Sequence, residues 1–487
     1  MKKITVFVPE VLVPYEQGRI ILGSADNLDV IEDTIGGQGT FYCTQWSAWQ
    51  RGPPPSRPAV QITHGRDRAL KKELIEAVHD VDAAKLPHGT RVKPIFETPA
   101  QIKAEQWFNS SPSRNEAKVM NDTWIMARLH GDGNQKVPPW SMFNEVVSED
   151  DPEVTTVGMA PILNAPADTY STITTIINRF VQLTQHLGQN HAVLFFDQPL
   201  YSKAKELVWA APEKYGNVVV FLGDLHIAFN FLRVIGQQME SAGLDDIWVE
   251  SGLFGQNSAK AMMEGKNYYR AVRGHIWAYE ALCRIELEQF LAWLQERDEK
   301  LFEEINHLRA AVAEQFQLHG AHSRCDGILD AVHRLKGVAG HPELQKHMEE
   351  FQHLLKENPN KAFWLKYRDM VGILLDFIRA NHDGNWQLHL DSFCAMLPWL
   401  TVYDHTNYAR WGPVYLADMQ QLPQTAPNVY QEFVSGNFVV KCNVGRFNQI
   451  PVDQATRVDQ QDLQGHRRYH RHHKERSCTR QNLYNLE

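Results

Sequence analysis

Between residues 154 and 240 the chain alternates between short apolar runs and segments with helical spacing. Residues 191–196 (HAVLFF) and 217–222 (NVVVFL) are continuously apolar, and residues 169–187 and 200–210 carry apolar positions at helical intervals. Continuous apolar strands separated by helices are typical of a sheet that is covered on both faces. The pattern therefore predicts an α/β fold.

Three further strands are predicted on the N-terminal side. Residues 19–26 (RIILGSAD) predict a buried strand that ends at Asp26, residues 40–50 an aromatic-rich strand, and residues 154–163 a third. The insertion at about 60–153 is polar and is predicted to be irregular, apart from an amphipathic helix at 66–80.

The remaining chain changes character twice. Residues 240–400 carry almost continuous helical spacing, whereas residues 437–451 predict a strand-turn-strand and the segment from 457 has no apolar period. These changes predict four parts, namely a core at 1–239, a large all-α insertion at 240–400, a return to the core at 401–456 and an aberrant, disordered tail at 457–487.

Composition limits the function classes. No apolar run reaches the roughly 18 residues that a membrane span needs, and none of the six cysteines forms a CxxC pair. A nuclear or cytoplasmic protein is expected, not a secreted one. The net charge of −9 counts against strong autonomous DNA binding, because affinity for phosphates comes mainly from lysine and arginine.

Acids follow three of the predicted strands. Asp26, Asp197 and Asp224 occupy strand ends, which can converge at one edge of a sheet. Clustered carboxylates suit Mg²⁺ or Mn²⁺, and two such ions can clamp the oxygens of a phosphodiester. The order of elements predicts an RNase H-like mixed sheet flanked by helices. Any one of these acids alone is more often a helix N-cap than a metal ligand, and the order of elements with three such acids makes the two interpretations equal.

Several longer motifs carry a family resemblance: SADNLDV, GQGTFYCTQ, FFDQPLYSKA, GDLHIAFNFLRVIGQQMESAGL, AVRGHIWAYEAL, YDHTNYARWGPVYLADM and RFNQIPVDQA. Together they resemble a multicopy, transposon-derived family of animal and fungal proteins, catalogued as a domain of unknown function. That family is in turn similar to hAT-like transposases with an RNase H-like core.

The resemblance implies a DNA transposase core. By its order of motifs, Asp26 and Asp197 would be the catalytic metal ligands for Mg²⁺ or Mn²⁺, and DNA the ancestral partner. Asp224 and His226 would support the site or contact DNA, although a histidine at this position is also an ordinary polar residue at a helix start.

A second polar cluster follows the helical stretch. It consists of His405, Asn407, Tyr408 and Arg410, beside Trp411. Arginine with aromatic residues suits contact with phosphates and bases. A packed turn, with Arg410 bridging a carboxylate, explains the same residues.

The chain departs from the family after Ala455. Relatives continue with a glutamate and a helix, whereas Arg457 stands at the position of this third acid. Codons for residues 457–464 can be chosen so that removal of one base restores the family's EWINRTC, which favours a frameshift over a histidine-rich binding tract. A transposase remnant that no longer cuts DNA is therefore expected. The alternative is a domesticated, non-enzymatic module that binds nucleic acid or protein.

Overall fold

The computed structural model describes residues 8–34, 37–55, 111–130 and 136–458. Within these ranges the side chains of residues 29–34 and 37–42 are outside the description. The predicted helix at 66–80 and residues 459–487 of the predicted tail also lie outside the described residues.

The first half of the described chain contains the main sheet. Its strands are β1 (Ile21–Thr34), β2 (Gly37–Arg51), β3 (Thr155–Met159), β4 (Ala192–Phe196) and β5 (Val218–Leu222). Its helices are α1 (Pro112–Arg128), α2 (Trp140–Val147), α3 (Tyr170–His186), α4 (Gln198–Ala210), α5 (Pro212–Tyr215) and α6 (Asp224–Gln238).

The second half is mostly helical. Its first helices are α7 (Leu244–Glu250), α8 (Gln256–Met263), α9 (Tyr268–Gln295), α10 (Glu299–His319), α11 (Asp326–Ala339), α12 (Pro342–Lys356), α13 (Pro359–Asp383) and α14 (Trp386–Val402). It closes with α15 (Thr406–Gln420), α16 (Leu422–Thr425), α17 (Pro427–Val434), β6 (Val440–Lys441), β7 (Gln449–Ile450) and a last helix, α18 (452–458).

The main sheet is mixed and has the strand order β3-β2-β1-β4-β5. β2 runs antiparallel to both β1 and β3, while β1, β4 and β5 run parallel to one another. β4 and β5 are buried along their whole length, as their continuous apolar runs predict. The α/β prediction is confirmed, with a five-stranded mixed sheet and helices on both faces.

Helices cover the two faces of this sheet in different ways. On one face α3 packs so closely that a Cβ at Gly23 would lie 2.6 Å from Cε2 of Phe180. Gly23 is level with Leu194 of β4, and Leu194 with Val220 of β5. Successive residues of a strand point to opposite faces, so Phe221, which follows Val220, faces the other side of the sheet. There its ring packs against Trp386 of α14 and Tyr415 of α15.

The prediction that the first strand ends at Asp26 is wrong. β1 continues to Thr34 because it forms a long antiparallel hairpin with β2, whose pairing extends from Ile21–Gln50 to Thr34–Gly37. β4 pairs with β1 only at Leu22, Gly23 and Ser24. Asp26 therefore lies in mid-strand, but just beyond the end of the parallel pairing.

The insertion between β2 and β3 is not irregular in its described part, since it contains α1 and α2. α1 joins the helical region: Arg128 pairs with Glu280 of α9 at 2.7 Å, and Arg114 pairs with Asp376 of α13 at 3.1 Å. Short polar segments around these helices obscure the helical spacing of their apolar residues in the sequence. These apolar residues include Trp124 and Phe143.

Residues 240–400 are helical, as predicted, and they share a hydrophobic core with the sheet. One continuous cluster of buried residues includes Phe221 of β5, Ile235 of α6 and Phe377 of α13. The predicted strand-turn-strand at 437–451 is present as β6 and β7. None of the described helices is long and apolar enough to cross a membrane.

Candidate acidic site

Two of the predicted acids lie level with each other at the edge of the parallel strands. Ser24 of β1 pairs with Phe195 of β4, so the same register continued by two residues sets Asp26 opposite Asp197. Phe196 pairs with Leu222, which brings Gly223 level with Asp197 in the same way. The carboxyl ends of β4 and β5 and the middle of β1 thus form one acidic edge.

Asp197 caps the N-terminus of α4, which is the alternative role predicted for an acid after a strand. Its Oδ1 accepts the backbone N–H of Leu200 at 3.1 Å, which caps α4. Oδ1 of Asp26 accepts the backbone N–H of Asn27 at 2.7 Å. Each interaction uses one carboxylate oxygen, and both side chains are half-buried. Capping and ion binding at this edge are therefore compatible.

Burial raises the pKa values of both acids at this edge. Burial raises the pKa of Asp26 to about 6; His226 lowers it, and the charges of Asp197 and Asp453 raise it. Burial likewise raises the pKa of Asp197, with His226 opposing and Asp453 adding to the shift. The charge of Asp197 thus adds to the pKa of Asp26, and that of Asp453 to both, and a nearby cation would favour the charged forms of such carboxylates.

Asp453 completes the cluster, and the sequence analysis did not identify it as a site residue. Its Oδ2 lies 3.0 Å from Nδ1 of His226, while Oδ1 and Oδ2 accept the backbone N–H groups of Leu225 and His226 at 3.2 and 3.4 Å. Gly223 is the N-cap of α6 and has no side chain, so Asp453 serves as the cap from a distant part of the chain.

The last helix, α18, is fixed to β1 by buried hydroxyl groups. Oγ of Ser24 lies 2.7 Å from Oγ1 of Thr456 and also accepts Nε1–H of Trp49 at 2.9 Å. This contact explains why Asp453, one turn earlier, reaches the start of α6. The DQA motif of residues 453–455 was the available signal, but it carries no local pattern that connects it to His226.

His226 lies among the acids of this edge, 3.0 Å from Asp453. Burial alone would lower its pKa, but the hydrogen bond and charge of Asp453, and then the charges of Asp197 and Asp26, raise the pKa above its ordinary value. Its side chain is 26% exposed, so this edge opens to solvent. That His226 supports the site or contacts DNA stays a prediction.

Asp224 faces away from this edge into the protein core. Its Oδ2 lies 3.5 Å from Nδ1 of His389, whose Nε2 lies 3.0 Å from the hydroxyl of Tyr415. Complete burial, and then the charge of Asp453, raises the pKa of Asp224 well above its usual range. Asp224 is therefore a buried partner of α14 and α15 and not a ligand at the acidic edge.

Arg457 occupies an exposed position on α18, one turn after Asp453. Its guanidinium carbon lies 5.4 Å from the ring centroid of Phe229 on α6. Arg457 thus presents a cation to the same helix that carries His226.

The second polar cluster borders this site through Asn230. His405 Nδ1 lies 2.9 Å from Oδ1 of Asn230, whose amide donates to the carbonyl of His226 at 2.8 Å. The prediction that Tyr408 contacts nucleic acid is wrong for its side chain, which is 5% exposed and packed inside. Asn407 and Arg410 are exposed, and Arg410 lies over the ring of Trp411 at 5.7 Å.

The donor set suits a divalent cation at Asp26 and Asp197. Among the described residues, no group of three His, Cys, Asp or Glu side chains is arranged to hold a metal ion. Both oxygens of Asp453 already accept hydrogen bonds. Two half-buried carboxylates with raised pKa values remain, and oxygen ligands completed by water are what Mg²⁺ and Mn²⁺ prefer.

Gly223 is required for this geometry. A Cβ at this position would lie 2.5 Å from Oδ2 of Asp453 and 3.2 Å from the carbonyl oxygen of Phe196. We expect Gly223→Ala to displace Asp453, to lower the free energy of unfolding by about 1–2 kcal/mol through the lost cap, and to lower the pKa of His226. Urea denaturation and an NMR titration of the histidines measure the two effects.

Gly337→Ala is the matched control, because a Cβ there meets nothing within 4 Å inside α11. That variant should keep or raise the free energy of unfolding. An unchanged His226 pKa in Gly223→Ala would contradict the assignment of Asp453 as its partner.

A mixed α/β fold with an acidic edge is compatible with many functions. Comparison with known proteins identifies the family. Residues 139–461 match the family described as Domain of unknown function (DUF8702). This match covers more than half of the chain, so the protein belongs to that family. No significant match was found among curated proteins or among solved structures.

Proposed function

We propose that the chain is a transposase-derived core of RNase H-like fold that binds Mg²⁺ or Mn²⁺ at Asp26 and Asp197 but no longer cleaves DNA. One observation carries this proposal: the register of β1 and β4 sets the two acids level at one edge. The charge of Asp197 raises the pKa of Asp26, and a cation shared by the two carboxylates would relieve this repulsion.

The topology supports the fold part of the proposal. Three antiparallel strands at one side are followed by two parallel strands, each reached through a helix. The first acid lies on β1, the second follows β4, and a histidine follows β5. A long helical region and a return helix come next, which is the order that hAT-like enzymes have.

The chain's own residues define what the site would do. Asp26 and Asp197 would hold the ion, which would neutralise charge on a phosphate oxygen. His226 and Asp453 fix the start of α6 beside these acids. Asp453 does not replace the lost acid, because its two oxygens are used by the backbone of α6 and by His226.

The lost acid explains why cleavage is not expected. Two-metal chemistry needs enough carboxylates to hold and orient both ions. Arg457 presents a positive charge on the face of α18 that meets α6, and that charge disfavours a second divalent ion. The chain retains Asp26 and Asp197 and lacks the third acid.

A nuclease assay with Mg²⁺ or Mn²⁺ tests the proposal. We expect no cleavage of DNA by the unaltered chain. A chain with Glu at position 457, followed by the family's continuation, should gain cleavage. The same restored chain with Asp26→Ala should lose it again. Cleavage by the unaltered chain that disappears in Asp26→Ala would contradict the loss of activity.

A further inference from the structure

A row of aromatic rings extends from the acidic site to the surface. The ring of Phe229 lies 5.5 Å from that of Tyr268, which lies 5.4 Å from that of Tyr269. His226 stands at the inner end, 6.4 Å from Phe229. We name Phe229, Tyr268 and Tyr269 the aromatic row. It connects the acidic edge with the N-terminus of α9.

Tyr269 is the outer member and is open to solvent. It is 60% exposed, although large aromatic side chains usually bury most of their surface. Its hydroxyl accepts the amide of Gln454 at 3.0 Å, and Tyr268 packs edge-on against its ring. The ring is therefore fixed at two points while more than half of its surface remains accessible.

One cationic side chain contacts the aromatic row, and others lie on the same elements. Arg457 lies over Phe229, and Arg233 and Arg270 are exposed on α6 and α9. Lys266, also exposed, is in the turn before α9, where it pairs with Glu264 at 2.7 Å. The protein as a whole carries a net charge of −9, so this concentration of positive charge beside an acidic edge is a local feature.

We propose that the aromatic row binds an unpaired nucleotide of single-stranded DNA, with a base stacked on Tyr269 and the adjoining phosphate at Arg457. Fixed aromatic faces bind bases of any sequence, and neighbouring cations bind the backbone. The proposal deepens the proposed function. It means that the arginine at the lost-acid position holds a strand beside Asp26 and Asp197 without cutting it.

Binding of a fluorescent oligothymidylate, measured by anisotropy in EDTA, tests the stacking step. We expect Tyr269→Ala to weaken binding about tenfold, since stacking on one ring contributes on the order of 1–3 kcal/mol. Tyr269→Phe and Tyr269→Trp should retain affinity. Leu318→Ala removes a side chain that is 66% exposed on α10 and should change nothing.

A second readout reports the contact itself. An oligonucleotide with 2-aminopurine at one position should be quenched on binding to the unaltered chain and to Tyr269→Phe, but not to Tyr269→Ala. Quenching that persists in Tyr269→Ala would overturn the stacking proposal.

The salt dependence of affinity tests the phosphate contact. We expect Arg457→Gln to reduce the slope of log affinity against log salt by about 0.7, the value for one phosphate of a single strand. Arg334→Gln, at an exposed arginine on α11, should leave the slope unchanged. Equal slopes for all three chains would overturn the assignment of Arg457, as would tighter binding of duplex than of single-stranded DNA.

The absence of metal separates this proposal from the one on which it rests. Binding in EDTA that depends on Tyr269 supports the aromatic row even if Asp26 and Asp197 bind no ion. Conversely, a metal-binding acidic edge together with equal affinity of Tyr269→Ala for the oligonucleotide would reject the aromatic row alone.

Discussion

Phe221→Ala is expected to lower the free energy of unfolding by about 3–5 kcal/mol, the cost of removing a large aromatic side chain from a core. Phe221 is fully buried near the C-terminal end of β5. Its ring centroid lies 4.2 Å from that of Phe195 in the sheet, 5.3 Å from that of Tyr415 and 5.8 Å from that of Phe433. The cavity would open where the sheet meets the later helices.

Urea denaturation followed by circular dichroism measures this effect. Because the sheet and the helices of residues 240–400 share one core, we expect a single transition that shifts as a whole. Leu318→Ala, at an exposed position of α10, should stay within about 0.5 kcal/mol of the unaltered chain. Two separate transitions, of which Phe221→Ala shifts only one, would show that the helical region is an independent unit.

The sequence predicts the parallel part of the sheet well, for a simple physical reason. β4 and β5 are buried on both faces, so their residues form continuous apolar runs with helices between them. The end of β1 could not be predicted in this way. Where β1 stops pairing with β4 depends on register, and β1 itself continues in the hairpin with β2.

The site is predictable only in part. Asp26 lies on the first recognisable strand, Asp197 and His226 come soon after β4 and β5, and the structure brings all three together. Asp453 could not be found from local pattern, because its contact with His226 joins residues 227 positions apart. The inward direction of Asp224 depends likewise on His389, which comes from α14. Contacts between distant segments have no periodic signature in the sequence.

Asp26→Asn is expected to stabilise the protein at pH 7 by about 1–2 kcal/mol. The folded-state pKa of Asp26, about 6, lies above its ordinary value of 3.8, so the folded chain binds a proton more tightly than the unfolded chain does. Stability therefore falls as pH rises from about 4 to about 6. Asparagine removes this cost, partly offset by a lost charge beside His226.

Two further variants show whether Asp26 differs from acids that stabilise the fold and from exposed acids. Asp453→Asn should lower the free energy of unfolding, because this carboxylate caps α6 and pairs with His226. Asp330→Asn, at an exposed position on α11, should stay within about 0.5 kcal/mol of the unaltered chain. If Asp26 were only a structural acid, Asp26→Asn would be neutral or destabilising at pH 7.

The free energy of unfolding at pH 7, measured as Mn²⁺ is added, tests the central claim most directly. An ion that binds only the folded chain stabilises it by about 2.7 kcal/mol at a hundred times its dissociation constant. We predict that Mn²⁺ stabilises the unaltered chain and that Asp26→Asn, already more stable without metal, gains nothing from it. Equal stabilisation of both chains by Mn²⁺, or none of the unaltered chain, would contradict a metal site at Asp26 and Asp197.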